Sequence, residues 1–300
     1  MASFHHLLLR RPAGVAWGAL AAACAVLCAA VPAAAEEAEP VTRPAARLAD
    51  EPLISVWCHR SDVDLAPIIA EVGFNTVWTH DPPYDGQAWE DTMMYRALQI
   101  PGVRYVLAKI DRIQWGWTHE ASVKHARWVA ELSRERPGII GLYLNDFYDE
   151  IEDGYRTKEE WLEIIAAARD ANPGLQLWVP HYPHRGNVQR PYDFPHDAVI
   201  FNLWGTREIP RVAEHLAAAQ AHHPGTPMIA GLYLSSGMRA ERRWLTEEEF
   251  KTMLGLYVEE VNAGRLAGLR IFCACQLTER PEYRPWAKEI LAGLKPAPPR

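Results

Sequence analysis

The chain has 300 residues, 49% of them hydrophobic and 23% charged, with a formal net charge of −7 and a pI near 6.0. That is a globular composition, long enough for one large domain or two small ones. The acidic balance excludes a nucleic-acid partner, which would need a basic footprint.

The N-terminus reads as an export signal. Met1 to Arg11 ends in a basic pair, Val15 to Val31 is an apolar run rich in Ala, Leu and Val, and Ala33-Ala34-Ala35 supplies small residues for cleavage before Glu36. A run of about 17 residues sits at the lower limit for a membrane span, and cleavage would leave no membrane segment. Cys24 offers lipid anchoring as an alternative, against which Ala21 stands three residues earlier in place of Leu. The pair Arg10-Arg11 offers a twin-arginine route, which Pro12 fits poorly. Residues 1–35 are thus expected to be removed, and 36–52, broken by Pro and Ala, to form a tether. Residues 53–300 are the expected mature domain, a periplasmic or secreted monomer. Three cysteines survive cleavage, Cys58, Cys273 and Cys275, without the spacing of a structural zinc site.

From residue 53, short apolar runs alternate with longer segments of helical period. The runs are Leu53–Cys58, Asn75–Trp78, Arg104–Ala108, Ile139–Leu144, Leu175–Val179, Ala198–Phe201, Met228–Leu234 and Leu269–Cys273. Near-continuous apolar strands imply burial on both faces, as in a parallel sheet covered by helices. Phe250, Met253, Leu254, Tyr257, Val258 and Val261 draw one apolar helical stripe. Thr246 with Glu249, and Thr157 with Glu160, open helices as capping boxes. Pro180 to Asp197 has no helical stripe and reads as a long functional loop. Eight strands with helices between them predict a single α/β domain, a (β/α)8 TIM barrel. Closure would bring Cys58 beside Cys273 or Cys275, where buried thiols are expected and a disulfide is the alternative.

Barrel enzymes take their reactive groups from the C-terminal strand ends. Those ends supply His59, His80 and Asp81, then Lys109 and Asp111, then Asn145, Asp146, Asp149 and Glu150. Further round come His181 and His184, Trp204, Tyr233 with Ser235-Ser236, and Gln276 with Glu279. Polar groups at every end describe a pocket for a polar ligand. Asp146, Asp149 and Glu150 are the candidate catalytic carboxylates, because crowded acids divide into a protonated and an ionised member. Asp81, Asp111 and Glu279 are further possible partners of Asp146. His59, His80, Asp81, Lys109, Asp111, Asn145, His181, His184, Trp204, Tyr233 and Gln276 are the candidate substrate-binding residues. Of the eleven Trp after the signal, most are expected in the core, with Trp204, Trp115 and Trp117 placed to stack on a sugar.

Asn145-Asp146 after an apolar fourth strand resembles the Asn-Glu end of the large barrel glycoside hydrolase clan. The resemblance covers the architecture of 53–294 and that dipeptide, and implies a glycosidase without a cofactor or metal, acting on an oligo- or polysaccharide. That clan keeps a nucleophilic carboxylate on the seventh strand. Here Gly231-Leu232-Tyr233-Leu234 repeats Gly141-Leu142-Tyr143-Leu144 but continues into Ser235-Ser236. Grouped acids on the fourth strand are more similar to the chitinase-like and hexosaminidase-like families. Two alternatives stand beside this reading. One is an amidohydrolase-like metal site drawn from His59, His80, His181, His184, Asp81 and Asp146, against which the first, sixth and eighth strand ends lack the required ligands. The other is a carbohydrate-binding barrel without catalysis.

Overall fold

The computed structural model describes residues 51–183, 194–203, 206–235 and 243–295. The expected signal segment and nearly all of the tether lie outside the described residues, as do His184, Trp204 and Ser236. Strands β1 (Leu53–Trp57), β2 (Thr76–Trp78), β3 (Tyr105–Ile110), β4 (Ile139–Leu144), β5 (Gln176–His181), β6 (Ala198–Leu203), β7 (Met228–Tyr233) and β8 (Gly268–Phe272) pair in parallel. Each pairs with the next, and β8 pairs back with β1 through Leu53 and Gly268, so the sheet closes as the sequence predicts.

Helices α1 (Leu65–Val72), α2 (Met93–Leu98), α3 (His119–Glu135), α4 (Phe147–Glu152), α5 (Lys158–Ala171), α6 (Val212–His222), α7 (Glu247–Asn262), α8 (Ala274–Glu279) and α9 (Tyr283–Leu291) lie between or after the strands. Both expected capping boxes form, at the starts of α5 and α7. The stripe from Phe250 to Val261 is the buried face of α7. Two short helices are additions to the sequence reading: α4 begins directly at the end of β4, and α8 directly after β8.

Strict alternation divides the strand side chains into two layers. Val56, Val77, Val106, Leu142, Leu177 and Ile271 face the helices, in one apolar cluster. Leu53, Trp57, Trp78, Leu107, Tyr143, Trp178 and Ile200 fill the lumen in another. The lumen is packed by rings meeting edge to face, Trp78 against Tyr143 at 5.0 Å and against Trp178 at 5.5 Å. This geometry explains the repeated Gly-Leu-Tyr-Leu of β4 and β7. A Cβ on Gly141 would stand 2.5 Å from the Trp178 indole nitrogen, and one on Gly231 would stand 2.3 Å from Asn202 Oδ1. In both strands the glycine yields lumen space to a side chain of a neighbouring strand.

The seam that closes the barrel is the tightest approach. A Cβ on Gly268 would meet the Leu53 carbonyl oxygen at 2.2 Å, and backbone cannot step aside. Gly268→Ala should therefore destabilise the fold by about 3 kcal/mol. Gly255→Ala, inside α7 with nothing within 4 Å of the new methyl, should instead stabilise it by about 0.5–1 kcal/mol. Urea denaturation of the two variants checks this; shifts of the same sign would contradict it.

Candidate active site

Alternation places Lys109 and Asp111, which follow Leu107 along β3, on the lumen side at the barrel mouth. His80 follows Trp78 in the same way, and Asn145 follows Tyr143. These four side chains meet. Asp111 Oδ2 contacts the Lys109 ammonium and lies 2.8 Å from His80 Nε2. Its Oδ1 accepts from Asn145 Nδ2 at 3.1 Å and from the Arg112 amide at 2.9 Å. Burial works against the Asp111 charge, but the bonds from His80 and Lys109 outweigh it and hold the carboxyl below its usual range. Burial pushes the Lys109 ammonium down, against the pull of Asp111. Lys109 Nζ also lies 5.0 Å from the Trp57 ring and 5.2 Å from that of Trp115, an indole that is 58% exposed.

Continued alternation would turn Asp146 outward into the helix layer. It does not, because Asp146 adopts a left-handed backbone, φ 49° and ψ 29°, the one non-glycine residue with positive φ among the described residues. Aspartate tolerates that region better than most residues, at a cost of roughly 1 kcal/mol. The turn brings its carboxylate to the mouth, where Oδ1 accepts the Tyr182 hydroxyl at 3.0 Å. Tyr143 and Lys109 both lie within the field of this carboxylate. Burial, then the Asp146 charge, pushes the Tyr182 phenol well above its ordinary value, so it remains a proton donor. Tyr233 completes the group, its ring 4.7 Å from Phe272.

Other expected site residues stand elsewhere. Glu150 is not at the mouth: it is a wholly buried residue of α4, with Arg156 Nη1 at 3.0 Å and the Ile113 amide at 2.6 Å. Arg156 also donates to the carbonyls of Asp111 and Trp117 and to Ser122 Oγ, so the pair pins the β3 and β4 loops together. Burial pushes Glu150 up, with Arg156 pulling against it. Asp149 lies half-buried in the first turn of α4, and Glu279 is exposed on α8. Asp81 falls on the opposite face from His80 and accepts from the Met93 amide at the start of α2. His181, in phase with the helix-facing Leu177 and Val179, lies behind the barrel wall with its Nδ1 3.2 Å from His223 Nε2. Burial and His222 hold it down to about 4, a neutral ring at neutral pH. Gln276 donates to Ser235 Oγ at 3.2 Å on the β7 side. His184 and Trp204 lie outside the described residues.

The positions of Asp81 and His181 break up the metal set read from the sequence. Among the described residues, the group whose ligand atoms converge is instead His59, Cys273 and Cys275, all within 4.8 Å. The hydrogen bond from Cys273, with help from His59, lowers the Cys275 thiol against the effect of burial. Cys58 faces the helix layer, buried and free, its thiol 3.3 Å from the Arg60 carbonyl.

The sequence reading gave no role to Arg270 or Arg156. Arg270 is buried in the lumen, 4.9 Å from both Trp57 and Trp78, with Nη2 donating to Asn202 Oδ1 at 2.8 Å. Its signal was a lone cation at a lumen-phase position in an apolar strand.

No protein-family model matches the chain, and a search of the curated proteins finds no match. Solved structures do match in fold. Xylanase 10C of Cellvibrio japonicus aligns over 83% of this chain and 69% of its own, with a TM-score of 0.55 and 12% identity. β-Glucuronidase 2 of Bacteroides uniformis aligns over 74% of this chain at a TM-score of 0.53 and 13% identity, and the β-D-glucuronidase of Dictyoglomus thermophilum over 74% at 0.51 and 16%. The chain spans only 30% and 43% of those two glucuronidases. It shares their barrel fold.

The Glu150–Arg156 pair carries a stability prediction. Arg156→Met should cost about 3–5 kcal/mol at neutral pH, because it leaves a buried carboxylate without its cation. Losing Arg156 raises the folded pKa of Glu150 further above its unfolded value. The folded state then binds the proton more tightly, so the deficit should shrink as pH falls through that raised pKa toward the ordinary carboxylate range. Denaturation at several pH values checks it; a deficit independent of pH would show that Glu150 does not carry the effect.

Proposed function

We propose that this chain is an exported glycoside hydrolase-like enzyme. Its catalytic acid/base would be Asp146, and its substrate an oligo- or polysaccharide bound across the mouth of the barrel. The observation that carries this reading is the left-handed turn at Asp146. A strained backbone at a strand end marks a side chain aimed for function, and this one aims a carboxylate at Tyr182 rather than into the core. Around it stand the groups a sugar needs: phenols, an amide, a lysine and an imidazole to bond hydroxyls, and the exposed Trp115 indole to stack on a ring face. The fold shared with xylanase and glucuronidase structures supports the same reading.

In this reading protonated Asp146 gives its proton to the glycosidic oxygen as the bond to the anomeric carbon breaks, and the resulting carboxylate takes a proton back from the water whose hydroxyl joins that carbon. Asp111, with partners on both oxygens, positions Lys109 and His80 instead of reacting. Trp115 offers an exposed face beside Lys109 for an outer sugar.

Purified protein incubated with a glycan panel that includes xylan and aryl β-glucuronides, with product analysis, tests the reading. Asp146→Asn should lower turnover by about 10³-fold, within the range general acid–base catalysis supplies. The melting temperature should hold, because asparagine also tolerates the left-handed region. Wild-type turnover in the variant would remove Asp146 from catalysis. Glycan binding without products would instead mark a carbohydrate-binding barrel. Trp115→Ala should raise KM on long substrates while leaving kcat nearly unchanged; equal losses on a monosaccharide glycoside would exclude a platform role.

A further inference from the structure

The ends of β1 and β8, neighbours across the closing seam, carry side chains the glycan pocket does not use. His59 follows β1 and is exposed, Cys273 follows β8 and is buried with the lumen cluster, and Cys275 is half-buried in the first turn of α8. The two thiols lie 2.7 Å apart, and Cys275 Sγ lies 3.7 Å from His59 Nε2. The imidazole is held in place by stacking on Phe272, 6.1 Å between centroids with 14° between planes.

We propose that His59, Cys273 and Cys275 bind a thiophilic divalent cation of the zinc class, with a fourth position left for water. Two sulfurs and an imidazole nitrogen form a soft donor set that selects such ions over magnesium or calcium. A tetrahedral zinc ion places sulfur and nitrogen ligands about 3.5 Å apart and two sulfurs about 3.8 Å apart, from Zn–S and Zn–N bonds of about 2.3 and 2.0 Å. The His59–Cys275 separation already matches. The two sulfurs must part by about an ångström to reach that spacing, a change that a side-chain rotation of the half-buried Cys275 supplies. Binding as thiolates displaces thiol protons to solvent and leaves the site neutral, two negative sulfurs against the 2+ ion. Because the ligands come from both sides of the seam, they converge only once the barrel has closed, and the ion would tie β1 to β8. Occupancy of this site is independent of what the Asp146 pocket turns over.

Full-length protein, reduced and stripped of metal, is titrated with zinc against a chromophoric chelator, and with cobalt(II) as a spectroscopic probe. One zinc ion per chain, thiolate-to-cobalt charge-transfer absorption and a higher melting temperature with zinc are expected. Cys275→Ser and the surface variant His59→Ala should each weaken zinc binding by more than about 100-fold, beyond the loss expected for an outer partner. Cys58→Ser should bind as wild type does. Reduced wild type that takes up no zinc, or equal uptake in Cys275→Ser and His59→Ala, overturns the proposal. So does a Cys273–Cys275 disulfide whose reduction restores no zinc binding.

Discussion

Arg270 extends from the middle of β8 into the lumen, where water cannot solvate its charge. Two indole faces, Trp57 and Trp78, each 4.9 Å away, and a single bond to Asn202 replace that water. A buried guanidinium is tolerated only when desolvation is offset in this way. The offset constrains the neighbouring strands: Gly231 must carry no side chain, Asn202 must point inward, and the indoles cannot rotate. Trp57 also lies 5.0 Å from Lys109, the cation one layer above. The lumen plug and the mouth are therefore one contact network, and the mouth inherits its rigidity from the plug.

Burial is the chief force lowering the Lys109 pKa, and repulsion by Arg270 adds a smaller push in the same direction. Asp111 answers the Lys109 charge and in doing so fixes His80 and Asn145. Charges and dipoles fixed before a ligand arrives need no reorganisation during chemistry, which is the usual origin of large electrostatic effects in a dry site. The Glu150–Arg156 pair serves the same end from beneath. It bonds the Asp111 and Trp117 carbonyls and the Ile113 amide, and so holds the loops on which the mouth residues stand.

The strands and their closure were legible because a parallel barrel imposes a local signature, short apolar runs at regular spacing. Which strand-end residues share a pocket was less legible, although the rule is simple. Counting in twos from Trp78 puts His80 in the mouth and Asp81 outside; counting from Leu177 puts His181 behind the wall. Asp146 breaks that count, because its left-handed turn is a property of one residue's backbone that no period reveals. Glu150 reads from sequence as a member of an acidic run, and only the tertiary approach of Arg156, six residues on, shows that its charge is already answered. Closure pointed to Cys58 as the neighbour of the β8 cysteines. One step of alternation gives that place to His59.

Three phenols gather near the Asp146 carboxylate, and this bears on the kind of ligand the mouth can take. Tyr182 and Tyr143 are both pushed well above the ordinary tyrosine value, chiefly by burial, so they remain neutral donors at any working pH. Ser235 and Gln276, bonded to each other on the β7 side, are neutral as well. At the end of the seventh strand, then, where a second acid stands in the barrel clan that the fourth strand resembles, the described residues present the Tyr233 and Ser235 hydroxyls, and the Gln276 amide reaches Ser235 from α8. Such groups bond sugar hydroxyls without the desolvation penalty of another buried charge. The Lys109 charge is already met by Asp111, so an anionic ligand would find little unbalanced positive charge there. On the proposed reading, these neutral groups would suit a hydroxyl-rich ring, with the carboxyl groups of Asp111 and Asp146 on the β3 and β4 side.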